Sequence, residues 1–108
     1  MTQYTFNNEG GQWYIDLPEW RGAKGDLAMV AGADTLLDRL SEGRPTITLT
    51  LDTEPFDGCD VLTKVVNTPF IGGATYRHNN KLLWLCKVTS FVFGYMPKKI
   101  YFKPLAEA

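Results

Sequence analysis

Apolar and polar residues alternate without a break from Thr46 to Asp52. Ile47, Leu49 and Leu51 fall on one side, and Thr46, Thr48, Thr50 and Asp52 on the other. That period of two predicts a strand with one buried face and one wet face. The period changes just upstream. Leu36, Leu37 and Leu40 stand at i, i+1 and i+4, with Ala33 extending the stripe, which predicts a short helix over Thr35–Glu42. Gly43 suits its stop and Pro45 forbids its continuation. A helix this short draws its stability from packing rather than from propensity.

The flanking segments are read in the same way. Tyr4-Thr5-Phe6 and Gln12–Asp16 are β-prone, and Asn7–Gly11 between them is a turn sequence, so the chain opens on a hairpin. From Leu17 to Gly32 the pattern is lost to Pro18, Gly22 and Gly25, which predicts an irregular connection. Glu54–Gly58 reads as a turn, Cys59–Val66 and Ala74–His78 as strands, and Asn79-Asn80 as a turn. The apolar run Leu82–Leu85 is left undecided by periodicity. Val88, Phe91, Val92 and Tyr95 are at helical spacing, and Gly94 and Pro97 end the segment, so Lys87–Tyr95 is expected as a second short helix. Lys98–Lys103 is a last strand, with Ile100 and Phe102 inward and Lys99, Tyr101 and Lys103 outward. The sum predicts a single domain over 1–108 of α+β class: a mainly antiparallel sheet with one or two short helices packed on one face.

Composition narrows the function classes. The 108 residues are 44% apolar and 13% aromatic, enough for one well-filled core. The net charge of −1 argues against a dedicated nucleic-acid binder or a polybasic membrane anchor. The two cysteines, Cys59 and Cys86, lack metal-site spacing and are expected to stay reduced. No basic-then-apolar leader opens the chain and no apolar run is long enough for a bilayer, so the expected location is cytoplasmic.

Several landmarks occur in a fixed order: Gly11–Asp16, Gly32-Ala33-Asp34, Glu54–Gly58, Trp84-Leu85-Cys86 and Pro97–Tyr101. On these the chain resembles a family of small bacterial proteins of uncharacterised function. The resemblance implies a small α+β domain with a helix between Trp84-Leu85-Cys86 and Pro97. It implies no activity. The residues from Lys87 to Gly94 are less helix-favouring than the family pattern.

Each residue that could carry chemistry has a blander account beside it. His78 is the one histidine, a general base or metal ligand by type, but turn-flanking surface histidines are common. Cys86 beside Lys87 would be activated at a helix N-terminus; the alternative is a small apolar core residue. Asp16, Glu19 and Asp26 flank the irregular connection, and Asp52 and Glu54 share a strand face, yet neither set matches a calcium loop. Gly22–Asp26 lacks phosphate-loop spacing. Lys98, Lys99, Tyr101 and Lys103 form a basic-aromatic strip suited to single-stranded nucleic acid, or an edge strand guarded by lysines. Trp20 and Phe56 lie in loop-like segments, where exposed aromatics mark contact surfaces.

The function that follows is a non-enzymatic protein-interaction or accessory domain, with Trp20, Phe56, Asp16 and His78 as candidate binding residues. The alternatives are a small-molecule site or minor enzyme built on the 17–32 loop, and a weak nucleic-acid contact through the C-terminal basic strand. No catalytic set, metal or cofactor is expected. The expected partner is another protein, a second copy of the chain included, and neither a membrane nor, foremost, a nucleic acid.

Overall fold

The computed structural model describes residues 2–17, 26–31, 35–57, 70–72, 75–78, 80–92 and 99–105. The opening hairpin forms as the sequence predicts, with longer arms: β1 (Thr2–Glu9) and β2 (Gln12–Asp16). Its turn is only Gly10-Gly11, at φ of 60° and 87°. Both central residues of this tight turn need positive φ, which glycine accepts at no steric cost. Asn8 fastens the turn, its side-chain oxygen accepting from the Gly11 amide at 3.0 Å.

The leucine helix also forms, as α1 (Leu36–Leu40). Thr35 caps it, its hydroxyl accepting from the Asp38 amide, and Gly43 at φ 78° turns the chain away. Leu36 and Leu40 are buried, but Leu37 is 46% exposed, so the expected three-leucine face is a two-leucine face. β4 (Thr46–Leu51) keeps its alternation residue by residue.

The remaining strands are β3 (Asp26–Ala31), β5 (Phe56–Asp57), β6 (Phe70–Gly72), β7 (Thr75–His78), β8 (Lys81–Val92) and β9 (Lys99–Pro104). Neighbouring strands run in the order β5-β3-β4-β1-β2-β9-β8-β7-β6, with β3 also paired to β8. All pairings are antiparallel. The sheet therefore curls into a half-barrel. The β3–β4 seam that completes the ring is thin: Ala31 opposite Leu51, and the Asp52 amide donating to the Val30 carbonyl at 2.8 Å.

The inside of the curl is the main core. Phe6, Ile15, Leu27, Met29, Leu51, Trp84, Cys86 and Ile100 are buried there. Phe6 meets Phe102 edge to face, with ring centroids 5.8 Å apart. A smaller cluster lies on the opposite face of β3 and β8, where Ala28, Leu83 and Leu85 pack with Val30, Tyr76 and Leu105. β8 is thus covered on both faces from Leu82 to Cys86, which explains an apolar run with no alternation.

The expected α+β class is overturned. Among the described residues the chain is mostly antiparallel sheet with one five-residue helix, closer to all-β. Two segments account for the difference. Lys87–Tyr95 is expected as helix; its part beyond Val92 lies outside the described residues, and its described part, Lys87–Val92, is the second half of β8. A bulge there shifts the register between Val88 and Ser90: Val88 faces Phe102, Ser90 faces Tyr101 and Phe91 faces Ile100. The extra residue, Thr89, puts Val88 and Phe91 on the same face at a spacing of three. The bulge imitates a helical period. Asp26–Ala31, expected as irregular, is β3; Leu27, Ala28 and Met29 are all fully buried, so no alternation is visible. Phe56, expected in a turn, is in β5, opposite Ala28. The residues of the expected strand Cys59–Val66 lie outside the described part.

Thr75 and Trp84 face one another across β7 and β8, and both are buried. Among the described residues, the Thr75 hydroxyl and the Trp84 indole nitrogen each lack a hydrogen-bond partner. Leaving a buried polar group unsatisfied costs about 1–3 kcal/mol. Thr75→Val, which keeps the shape, is expected to stabilise the fold by about 1 kcal/mol. Phe6→Ala is expected to destabilise it by about 3–5 kcal/mol. Urea denaturation of the two variants measures both; a Thr75→Val that destabilises would contradict this account.

Candidate functional site

One end of the half-barrel carries a cleft of about 260 Å³. Three local features build it. The Gly10-Gly11 turn brings the start of β2 to this end, so that Trp13, half-buried and directly opposite Phe102, forms a wall. α1 supplies Leu37, Leu40 and Ser41 across from it. The bulge in β8 contributes Thr89, a residue with no partner in the β9 register. A bulge of this kind re-aims a side chain out of the ladder. The rim is closed by Lys103 and Pro104 at the end of β9.

A second cleft, of about 280 Å³, lies on the other side of the same wall. It shares Trp13 and Leu40 with the first and is completed by Asn8, Gly43, Arg44 and Pro45. Its outer lip is held by the Asn8 amide donating to the Pro45 carbonyl at 2.8 Å. The two clefts together make a groove with Trp13 and Leu40 at its centre. Its surface offers an aromatic ring, aliphatic side chains and a few polar groups, the usual make-up of a binding site.

The outer face of the sheet is arranged differently. Tyr14 and Tyr101 are directly opposite on β2 and β9, with ring centroids 5.3 Å apart. The Lys99 ammonium lies 4.8 Å from the Tyr14 ring centroid and 3.3 Å from a Glu9 carboxylate oxygen. This hydrogen bond, then the Glu9 charge and the neighbouring Tyr14, raise the Lys99 pKa above 10.5. The basic-aromatic strip is therefore divided: Lys99 is engaged by Glu9, while Lys103 is among the residues that line the cleft. The edge-strand account of the strip also fails, because β9 is paired on both sides, to β2 and β8.

The candidate residues read from sequence do not converge. Asp16 is exposed at the end of β2, opposite Lys99, and lines neither cleft. Phe56 is 36% exposed on β5, away from the groove. His78 ends β7 opposite Lys81, and its side chain lies outside the described part. Trp20, Glu19, Lys98 and Cys59 also lie outside it. Cys86 is buried in mid-strand and not at a helix N-terminus. Asp52 is spent on Lys81, 3.0 Å away. Among the described residues, no three His, Cys, Asp or Glu side chains could hold a metal ion, and no helix is long and apolar enough to cross a membrane. The parts played by Leu37, Thr89 and Lys103 have no signal in the sequence, because neither a bulge nor a strand register can be read from spacing.

A small, β-dominated half-barrel with a groove at one end is the class of structure these residues define. The chain belongs to DUF6717, a family of unknown function whose profile matches residues 1–105. No curated protein and no solved structure matches it.

The Lys99–Glu9 contact has a pH signature. A raised lysine pKa stabilises the fold fully below its unfolded value, and the contribution is lost as pH rises through the higher folded value. The Lys99 side-chain ¹³C resonance is expected to titrate with a midpoint above 10.5, and Glu9→Gln is expected to lower that midpoint. An unchanged midpoint in Glu9→Gln would show that the contact is not formed in solution.

Proposed function

We propose that this chain is a non-enzymatic interaction domain that binds a partner protein through the Trp13 groove. The setting we propose with it is bacterial, as the sequence resemblance suggests, and cytoplasmic. One observation carries the reading: Leu37, a large aliphatic side chain, is 46% exposed on the rim of a cleft whose wall is the half-buried Trp13. Single exposed leucines are unremarkable. An exposed leucine beside an accessible tryptophan and a concave surface is the composition of an interface hot spot.

Size supports a protein segment over a free metabolite. Each cleft, at about 260 and 280 Å³, falls below the usual range of about 300–1,000 Å³ for small-molecule pockets. The two together, divided by Trp13, suit side chains of one extended segment. A second reading, a small-molecule site, draws on the polar groups Gln12, Ser41 and Thr89 that meet at the first cleft.

The test is site-specific photo-crosslinking in the source cell's lysate. Benzoylphenylalanine in place of Leu37 is expected to capture a discrete protein. The same group in place of Thr48, exposed on the outer face of β4, is expected to capture none. Equal capture at both positions, or none at Leu37, would remove the groove as the contact surface.

A further inference from the structure

We propose that the groove takes an extended acidic segment of its partner, with two apolar side chains straddling Trp13 and a carboxylate at each end. This rests on the groove being a protein-binding site and specifies what it recognises.

The geometry supplies the apolar part. The two clefts meet at Trp13 and Leu40, so an occupant crossing from one to the other places one anchor on each side of the indole. Charge supplies the rest. Lys103 is among the residues that line the first cleft and Arg44 among those that line the second, and among the described residues no carboxylate lines either. The Arg44 side chain is 72% exposed, and its nearest carboxylate, Glu42, is 3.9 Å away and shared with Arg39 at 3.1 Å. Lys103 has no ion-pair partner among the described residues and sits directly opposite Lys87 on β8. Like charges directly across a ladder are unfavourable, and on its other side Lys87 is in register with Asp26 of β3. Among the described residues, Lys81 is paired with Asp52 at 3.0 Å and Lys99 with Glu9 at 3.3 Å. In a chain of net charge −1, two under-compensated cations bracketing an apolar groove select an anionic occupant.

The experiment titrates the purified protein with fluorescein-labelled synthetic peptides, followed by anisotropy. The probe is a set in which Leu and Phe are separated by none, one or two glycines and flanked by glutamates. The controls replace the glutamates by lysines, or Leu and Phe by serines. The protein variants are Lys103→Glu, Arg44→Glu and Leu37→Ser. All three residues are exposed or partly so, and circular dichroism confirms that each variant is folded.

At least one acidic apolar peptide is expected to bind about tenfold more tightly than its lysine counterpart. The binding should weaken with salt, fall about tenfold in either charge reversal, and be lost in the serine peptide and in Leu37→Ser. Lysine peptides that bind as well, or charge reversals without effect, overturn the acidic assignment and leave the groove standing. Failure of every peptide, or binding indifferent to Leu37→Ser, overturns the groove as well. A thermal shift by phenylacetate without peptide binding makes the occupant a small acid and overturns the proposal. So does self-association in analytical ultracentrifugation that Leu37→Ser abolishes, since the occupant is then a second copy of the chain.

Discussion

The fold depends on one strand being wanted on every side. β8 is paired with β3 along one edge, and with β7 and then β9 along the other. Its residues from Leu82 to Cys86 are buried, Trp84 and Cys86 in the main core and Leu83 and Leu85 in the smaller one. Such a strand has no solvent-facing side to satisfy its backbone, so every amide and carbonyl must find a ladder partner. Twelve residues of strand are needed to serve three neighbours. The curl of the sheet follows, because β3 and β9 are drawn round the same strand while β4, β1 and β2 join them at the far side.

The groove is a by-product of how that curl ends. A flush barrel end would leave Trp13 covered by neighbouring strands. Two departures from regular pairing prevent this: the two-glycine turn, which carries Trp13 to the end of the sheet, and the extra residue at Thr89, which takes one side chain out of the β8–β9 ladder. α1 then bridges the opening with two buried leucines and leaves the third outward. Packing and exposure are thus divided on a single helical turn: Leu36 and Leu40 anchor, and Leu37 presents.

The parts legible in the sequence were those with a clean local period and a matching stop. β4, α1, the opening hairpin and β9 were of this kind, each fixed by alternation, by a leucine stripe or by glycine turns. The parts that were not legible share a physical cause. β3 and the first half of β8 are buried on both faces, so burial leaves no period to read. The second half of β8 has a period of the wrong length because of one inserted residue. The groove was beyond reach for a related reason. Its walls come from β2, α1, β8 and β9, and only the register of those strands brings Trp13, Leu40, Thr89 and Lys103 to one end. Trp20 and Phe56 looked functional because they stood outside periodic segments; Phe56 in fact has a strand partner in β3.

The place of β9 has a consequence for synthesis. It lies between β2 and β8, yet it is separated from β2 by more than eighty positions along the chain. On a ribosome, β1, β2 and β4 are available to pair early, but the free edge of β2 stays open until residues near Pro104 emerge. At about 5–20 residues per second, that leaves an exposed, β-prone edge for several seconds in every molecule made. The nascent chain is therefore most vulnerable to pairing with another nascent chain just before β9 emerges, and inserting β9 both closes the sheet and ends that risk.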